Sequence, residues 1–273
     1  MKQLFMKLIS ILLSLTMIYL APANAGSQNK KTANYSPDVL SAFAKGVEKI
    51  AAKEGARAFI IARIGRPEED LPKGISFTHT AVAIYSNITT DSGDIVRGYA
   101  VYNLYQDSKD PGLSHLIQDY PVDFYGGAEI LKAGIIIPDI KIQLALVDLI
   151  NSGDYKKLHN PAYSVIANPH NDRRQNCTEF TLDMVNAAIY DTTDSKRLKI
   201  NAKNWFEPQP VAMSRFKLSI GGLFSSGVTT RDHDGKIKTA TFMSIARYLQ
   251  QNELLSGAYQ IDQELMVEEI RLI

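Results

Sequence analysis

The 273-residue chain has a single cysteine, Cys177. One cysteine excludes an intramolecular disulfide framework, so stability has to come from a hydrophobic core. An excess of charge of either sign is also missing: 30 Lys and Arg stand against 29 Asp and Glu. That balance gives no electrostatic footprint for nucleic acid or for an anionic membrane surface. No internal repeat, low-complexity tract, heptad run or glycine-rich phosphate loop occurs. Arg231-Asp232-His233-Asp234 groups a histidine with two carboxylates. With no second cluster to complete a ligand set it reads as a solvated turn, so neither a metal nor another cofactor is expected.

Long apolar runs are scarce as well. The one near the start, Leu8 to Leu20, is broken by Ser10, Ser14 and Thr16, and it falls short of the ~20 apolar residues that span a bilayer. Lys2 and Lys7 precede it and Ala23-Asn24-Ala25 follows it. Together these read as a signal peptide over residues 1–25 with a small-residue cleavage site, the other reading being an uncleaved anchor. No cysteine follows the run, which argues against a lipid anchor. The chain is therefore expected to be exported, to the periplasm if bacterial, with no stable membrane span after cleavage. Removing residues 1–25 takes away two lysines and no acid, so the formal charge of +1 turns slightly negative. Residues 26–35 read as a flexible leader. Residues 36–273 read as one domain with a C-terminal extension from about 205.

What is present is a mixture of helical and strand patterns. Ser36-Pro37-Asp38 has the form of a helix start, and Leu40, Phe43, Val47, Ile50 and Ala51 follow at helical spacing. Ala58 to Ile64 is a short apolar run that suits a buried strand. Phe77 to Tyr85 and Ile95 to Gln106 read as two strands joined by a turn rich in Asn, Thr, Asp, Ser and Gly, a plausible hairpin. Leu113 to Ile117 reads as a short helix, Pro121 to Gly127 as loop, and Ile140 to Asn151 as helix. Tyr163 to Ile166 reads as a strand. Asn176 caps a helix that runs to Tyr190, with Phe180, Met184, Ala187 and Ala188 on one face. Residues 191–202 read as a polar surface connection and Thr241 to Gln251 as a further helix. Gly221, Gly222 and Gly227 mark a bend with no assigned role.

An exported chain with one cysteine carries a reactive thiol, pairs with another chain, or buries the sulfur. Cys177 sits where a helix begins, at the expected exposed end of an otherwise buried helix, and a helix N-terminus stabilises a thiolate. Arg173 and Arg174 add positive charge nearby. Nucleophilic catalysis also needs an imidazole in reach and a group to hold it. Of the five histidines, His79 is the best placed: it opens a strand and shares a face with Ala81, Ala83 and Tyr85. With the turn centred near Asp91, position 79 falls opposite Asn103, which can hold the imidazole. A slip of one residue would substitute Tyr102, and Gln106 is an alternative. Gln175 is a candidate side-chain donor to an oxyanion, beside the Cys177 backbone N–H. Glu179 complements the helix dipole, and His170 is a loop residue that can line a cleft.

Thr78-His79-Thr80-Ala81-Val82-Ala83-Ile84-Tyr85 resembles the histidine strand of NlpC-type papain-like hydrolases, and Asn176-Cys177-Thr178-Glu179-Phe180 resembles their cysteine helix. The histidine precedes the cysteine, as in the circularly permuted branch that includes lecithin–retinol acyltransferase-like enzymes. The chain also resembles an exported bacterial family with only a domain-of-unknown-function label. Ala83 stands where glycine is usual, and Asn103 where histidine is commoner. The resemblance implies an α+β papain-like fold with an antiparallel sheet and the Cys177 helix packed across it. It implies a thiol hydrolase or acyltransferase acting on an amide or ester through Cys177, His79 and Asn103. Peptidoglycan stem-peptide amides are the expected substrates, with lipid esters or amides as the alternative. The contrasting expectation is a non-catalytic binding module on a decayed hydrolase fold. Its sign would be Cys177 buried away from His79 and aromatics such as Tyr99, Tyr102 or Phe124 filling the cleft. A third idea is an assembly factor that uses Cys177 for an intermolecular disulfide.

Overall fold

The computed structural model describes residues 33–67, 71–72, 74–89, 92–211 and 227–272. The expected signal peptide, most of the leader, and Gly221 and Gly222 lie outside the described residues. The chain folds as an α+β unit built on one antiparallel sheet of seven strands.

Helix α1 (Pro37–Lys53) starts as the sequence predicts: the Ser36 side chain accepts from the Val39 N–H, with Pro37 in the first turn. Strands β1 (Ala58–Ile64), β2 (His79–Thr89) and β3 (Ile95–Gln106) follow, with β2 and β3 forming the predicted hairpin. Residues 114–119 then form strand β4 (Ser114–Asp119), not the short helix expected over 113–117. β4 pairs with β3 along its whole length. A five-residue segment of mixed polarity carries too little periodicity to separate the two states, and the free edge of β3 decides it. Helix α2 (Pro121–Gly126) occupies the segment expected as loop. Strand β5 (Ile130–Pro138) and helix α3 (Ile140–Asn151) come next, the latter capped by Asp139. Tyr163, expected in a strand, makes only an isolated bridge to Gln175.

Helix α4 (Cys177–Tyr190) begins at the cysteine, with Asn176 as its cap. Helix α5 (Ser195–Trp205) replaces the expected surface connection, and Lys199 on it is buried. Short strands β6 (Gln209–Pro210) and β7 (Lys238–Thr239) pair with each other. Helix α6 (Phe242–Gln251) is capped by Thr241. Strands β8 (Leu255–Ile261) and β9 (Val267–Glu269) then join the main sheet, whose order is β4-β3-β2-β1-β5-β8-β9. The segment from about 205 onward thus supplies two strands of the sheet.

Both faces of the sheet are covered. Phe59, Ile61, Ala81, Ala83 and Val101 point into a core with α1 and α2. Ala58, Ile60, Ala62, Val82, Ile84 and Leu104 point into a second core with residues of α3, α4, α5 and α6. Strand β1 is buried on both sides, which is why its sequence is apolar at nearly every position. The exception is Arg63, which is 1% exposed. None of the helices among the described residues is long and apolar enough to cross a membrane.

Candidate active site

His79 opens β2 and is 1% exposed. The period of two places it on the face of Ala81 and Ala83, toward α2. Its ring lies against two aromatic rings, Tyr105 at 5.0 Å and Phe124 at 5.3 Å between centroids. The hairpin register pairs Val82 with Tyr102. Continued toward the strand end, it sets His79 opposite Tyr105, two residues from the predicted partner. A shift of two keeps every side chain on its face, so Asn103 still reaches the ring diagonally. His79 Nε2 and Asn103 Oδ1 are 3.0 Å apart.

The strand misread as a helix supplies a residue that sequence reasoning missed. Asn103 Nδ2 donates to Asp119 Oδ2 at 3.1 Å, and the Tyr105 hydroxyl donates to the same oxygen at 2.6 Å. An ionised carboxylate only accepts, so it holds the NH2 end of Asn103 toward itself and the carbonyl end toward the imidazole. The imidazole must then carry its proton on Nε2, which leaves the lone pair on Nδ1. Nδ1 is buried and makes no hydrogen bond among the described residues. The chain Asp119–Asn103–His79 therefore fixes both ring orientation and tautomer. The only sequence signal for Asp119 was its place shortly after Leu116-Ile117, next to Tyr120-Pro121.

Burial, and then the charge of Arg63, hold the His79 imidazole well below its ordinary protonation range, while the Asn103 bond works the other way. Burial pushes the Tyr105 and Tyr125 hydroxyls well up, and the Asp119 carboxyl also up. The site is thus dry and electrostatically stiff.

Cys177 is the first residue of α4. The Asn176 side chain accepts from the Glu179 N–H at 2.9 Å and donates to the Val165 carbonyl at 2.9 Å and Thr239 Oγ1 at 3.2 Å. The helix start is therefore tied to two flanking segments. Thr80 on β2 bonds Thr181 on α4 at 3.2 Å, so the helix does pack across the strand. It packs on the face opposite to the His79 side chain, however, and the helix over His79 is α2. The two candidates approach each other around the start of β2, where Cys177 Sγ lies 3.9 Å from the Thr78 carbonyl oxygen. No hydrogen bond joins the thiol to the imidazole among the described residues.

Three expectations need correction. Cys177 does not sit at an exposed helix end; it is 4% exposed. Arg173 and Arg174 do not turn to the sulfur, since they donate to the Arg231 and Tyr163 carbonyls. The guanidinium that couples electrostatically to Cys177 is that of Arg63. Gln175 is not an oxyanion donor: its NH2 group donates to the Leu158 carbonyl at 3.0 Å and to Asp183 Oδ2 at 2.8 Å, and its carbonyl accepts from the Asn160 N–H. Both amide protons are committed to holding the loop before α4.

The other candidates fall outside this grouping. Gln106 donates to the Pro111 carbonyl, and Tyr102 packs on Tyr155 from the other face. His170 bonds the Phe206 carbonyl. His233 bonds the Ile166 carbonyl and is buried with Asp232, where a solvated turn was expected. No group of side chains among the described residues is arranged to hold a metal ion. Glu179 is fully buried and meets Lys199 Nζ at 2.6 Å, with Asp183 at 2.8 Å from the same ammonium. It contributes to a buried ion network rather than only to the helix dipole.

The fold and this grouping define an α+β protein with a buried Cys, His, Asn and Asp set at one end of an antiparallel sheet. The chain belongs to the family described as an uncharacterized protein conserved in bacteria (DUF2145), which matches residues 50–249. No curated protein and no solved structure matches it.

Proposed function

We propose that the chain is an exported thiol hydrolase or acyltransferase with a permuted papain-like site. The observation that carries the reading is the Asp119–Asn103–His79 chain, which leaves an unprotonated Nδ1 on a ring at the start of β2, next to Thr78, whose carbonyl oxygen lies 3.9 Å from Cys177 Sγ. In this mechanism Nδ1 takes the thiol proton as Sγ attacks an ester or amide carbonyl carbon. The Sγ–C bond forms and the carbonyl becomes an oxyanion. The N-terminal turn of α4 faces that charge with its backbone N–H groups and helix dipole. Collapse breaks the C–N or C–O bond, and the imidazolium returns the proton to the leaving group. Water or another acceptor then releases the acyl group from sulfur, His79 again moving the proton. Amides of peptidoglycan stem peptides are the favoured substrate class for a periplasmic enzyme, with lipid esters second.

The burial of His79 between Tyr105 and Phe124, together with the burial of Cys177, favours a second reading. It is a binding module on a hydrolase-like frame in which the same polar chain serves stability. The burial of Cys177 also argues against an intermolecular disulfide. Acylation by p-nitrophenyl acetate, followed by nitrophenolate release and intact mass, separates the two main readings. A hydrolase is acylated at Cys177, and His79→Ala slows the step by about 10²–10⁴-fold. A rate indifferent to His79, or no acylation of the folded protein, leaves the binding module. Stem-peptide amides and acyl-lipid esters tested in parallel then assign the substrate class.

A further inference from the structure

Arg63 is a charge in a strand that is otherwise apolar and wholly buried. It pairs directly across the sheet with His79, so the two side chains share a face. The guanidinium carbon lies 5.1 Å from the centre of the Phe124 ring and 5.7 Å from that of Tyr105, the same two rings that stack on the imidazole. Nη1 donates to the Phe124 carbonyl. The chain is shaped around the group: a Cβ at Gly127 would collide with the guanidinium. Gly127 has φ −89°, a conformation open to any residue, so glycine here serves space and not backbone freedom.

Taking a guanidinium out of water is costly, and this one lies across a single strand pair from the imidazole and shares its two aromatic neighbours. The charge itself therefore calls for an account. We propose that Arg63 is the electrostatic positioning residue of the site: its fixed positive charge keeps His79 an unprotonated base and faces the sulfur of Cys177. The assignment deepens the thiol-hydrolase reading and rests on it for its use in catalysis. Arg63 on β1 is the charge coupled to the imidazole, and the ionisable groups coupled in turn to Arg63 are Tyr105 on β3, Asp119 on β4, Cys177 on α4 and Tyr125 on α2. Of these only Arg63 is positive. Asp119 reaches the ring through Asn103, and its oxygen is already held by Tyr105 and Asn103. The direction of the effect on His79 follows from like-charge repulsion across one strand pair. An imidazolium formed there transiently is a strong acid, suited to returning its proton to a leaving group. A thiolate beside the same cation is stabilised without an imidazolium partner.

The test is an NMR pH titration of the His79 ring in the full chain, with its signals assigned by their loss in His79→Asn. The wild type and Arg63→Lys, which keeps the charge, are compared with Arg63→Met and Arg63→Gln. Gln retains a donor for the Phe124 carbonyl, so a folded neutral variant is available if Met at this position unfolds the chain. Far-UV circular dichroism establishes folding for each. The expected result is a ring that stays neutral in wild type and Arg63→Lys, and a midpoint raised by about 1–3 pH units in the neutral variants. A His79 midpoint that is the same in wild type and in the folded neutral variants assigns the effect to burial alone and overturns the proposal. So does a wild-type His79 that titrates like an ordinary histidine. The readout needs no turnover. Failure to acylate Cys177 with a normal Arg63 dependence overturns the hydrolase reading and leaves the electrostatic assignment standing.

Discussion

Asp119 is the residue whose removal tests the site most directly. Its Oδ2 receives both the Asn103 amide and the Tyr105 hydroxyl, at 3.1 and 2.6 Å. Asn103 is 1% exposed and Tyr105 2%, so neither donor has ready access to water once the acceptor is gone. A buried donor left without a partner costs about 1–3 kcal/mol, so Asp119→Ala is expected to cost about 2–6 kcal/mol in all. Asp119 itself is 7% exposed at a strand end, and water entering the vacated site brings the value toward the lower figure. Urea unfolding with an unchanged slope measures it. Asp119→Asn separates shape from charge. An amide can present either end, so Asn103 is no longer forced to point its oxygen at the ring, and both imidazole tautomers become populated. Nitrogen chemical shifts of His79 report this directly: Nε2–H alone in wild type, a mixture in Asp119→Asn. In a serine-protease triad the wrong tautomer lowers kcat by about 10⁴-fold. Here the carboxylate acts through an intervening amide, so a smaller loss of Cys177 acylation is expected. A stability loss under about 1 kcal/mol for Asp119→Ala, or a wild-type ring protonated at Nδ1, would refute the reasoning.

Four further outcomes follow from the same packing. Burial holds the Glu179 carboxyl well above its ordinary range despite Lys199. A carboxyl raised in the fold contributes stability below the ordinary carboxylate range and loses it as pH rises through its folded value. Glu179→Gln should therefore flatten the decline of unfolding free energy as pH rises above the ordinary carboxylate range, and parallel curves for variant and wild type would count against this. Lys199→Met leaves Glu179 and Asp183 buried without their cation, and thermal or urea unfolding should show a loss of about 3–5 kcal/mol. Gly127→Ala drives a methyl group into the Arg63 guanidinium and should cost about 1–3 kcal/mol. That loss should shrink in an Arg63→Met background, since the two groups share one space; additive losses would show that they do not. Gln175→Ala should lower stability by about 1–3 kcal/mol through the loop it ties down. Its effect on the acylation rate of folded molecules should be small, whereas a large rate loss would restore it as an oxyanion donor.

Much of the frame was legible in the residues themselves. Ser36, Asn176 and Thr241 announced helix starts because a cap side chain bonds its own backbone, a local event that needs no tertiary partner. The run Ala58 to Ile64 and the hairpin that follows declared themselves by β-branched content and by the turn between them. His79 and Asn103 were predicted to share a face, and they do so even though the register differs by two. The misreadings have two causes. Ser114 to Asp119 became a strand because β3 offered it an unpaired edge, which the segment itself does not show. The helices at 121–126 and 195–205 carry local start signals that were passed over, Pro121 in the first turn of one and the Asp194 cap of the other.

The site divides along the same line. Composition and local motif by themselves fixed one thiol at a helix start, a histidine at a strand start and an asparagine on its face. Which face of the sheet each side chain takes, that Asp119 orients Asn103, and that Arg63 faces His79 were decided by strand order and register. Those contacts join residues 16 and more positions apart. The energies of such contacts depend on burial, because a charge or an amide exerts its full effect only where water is excluded. Burial is a property of the packed sheet and its two helical layers, and no segment of the chain contains it alone.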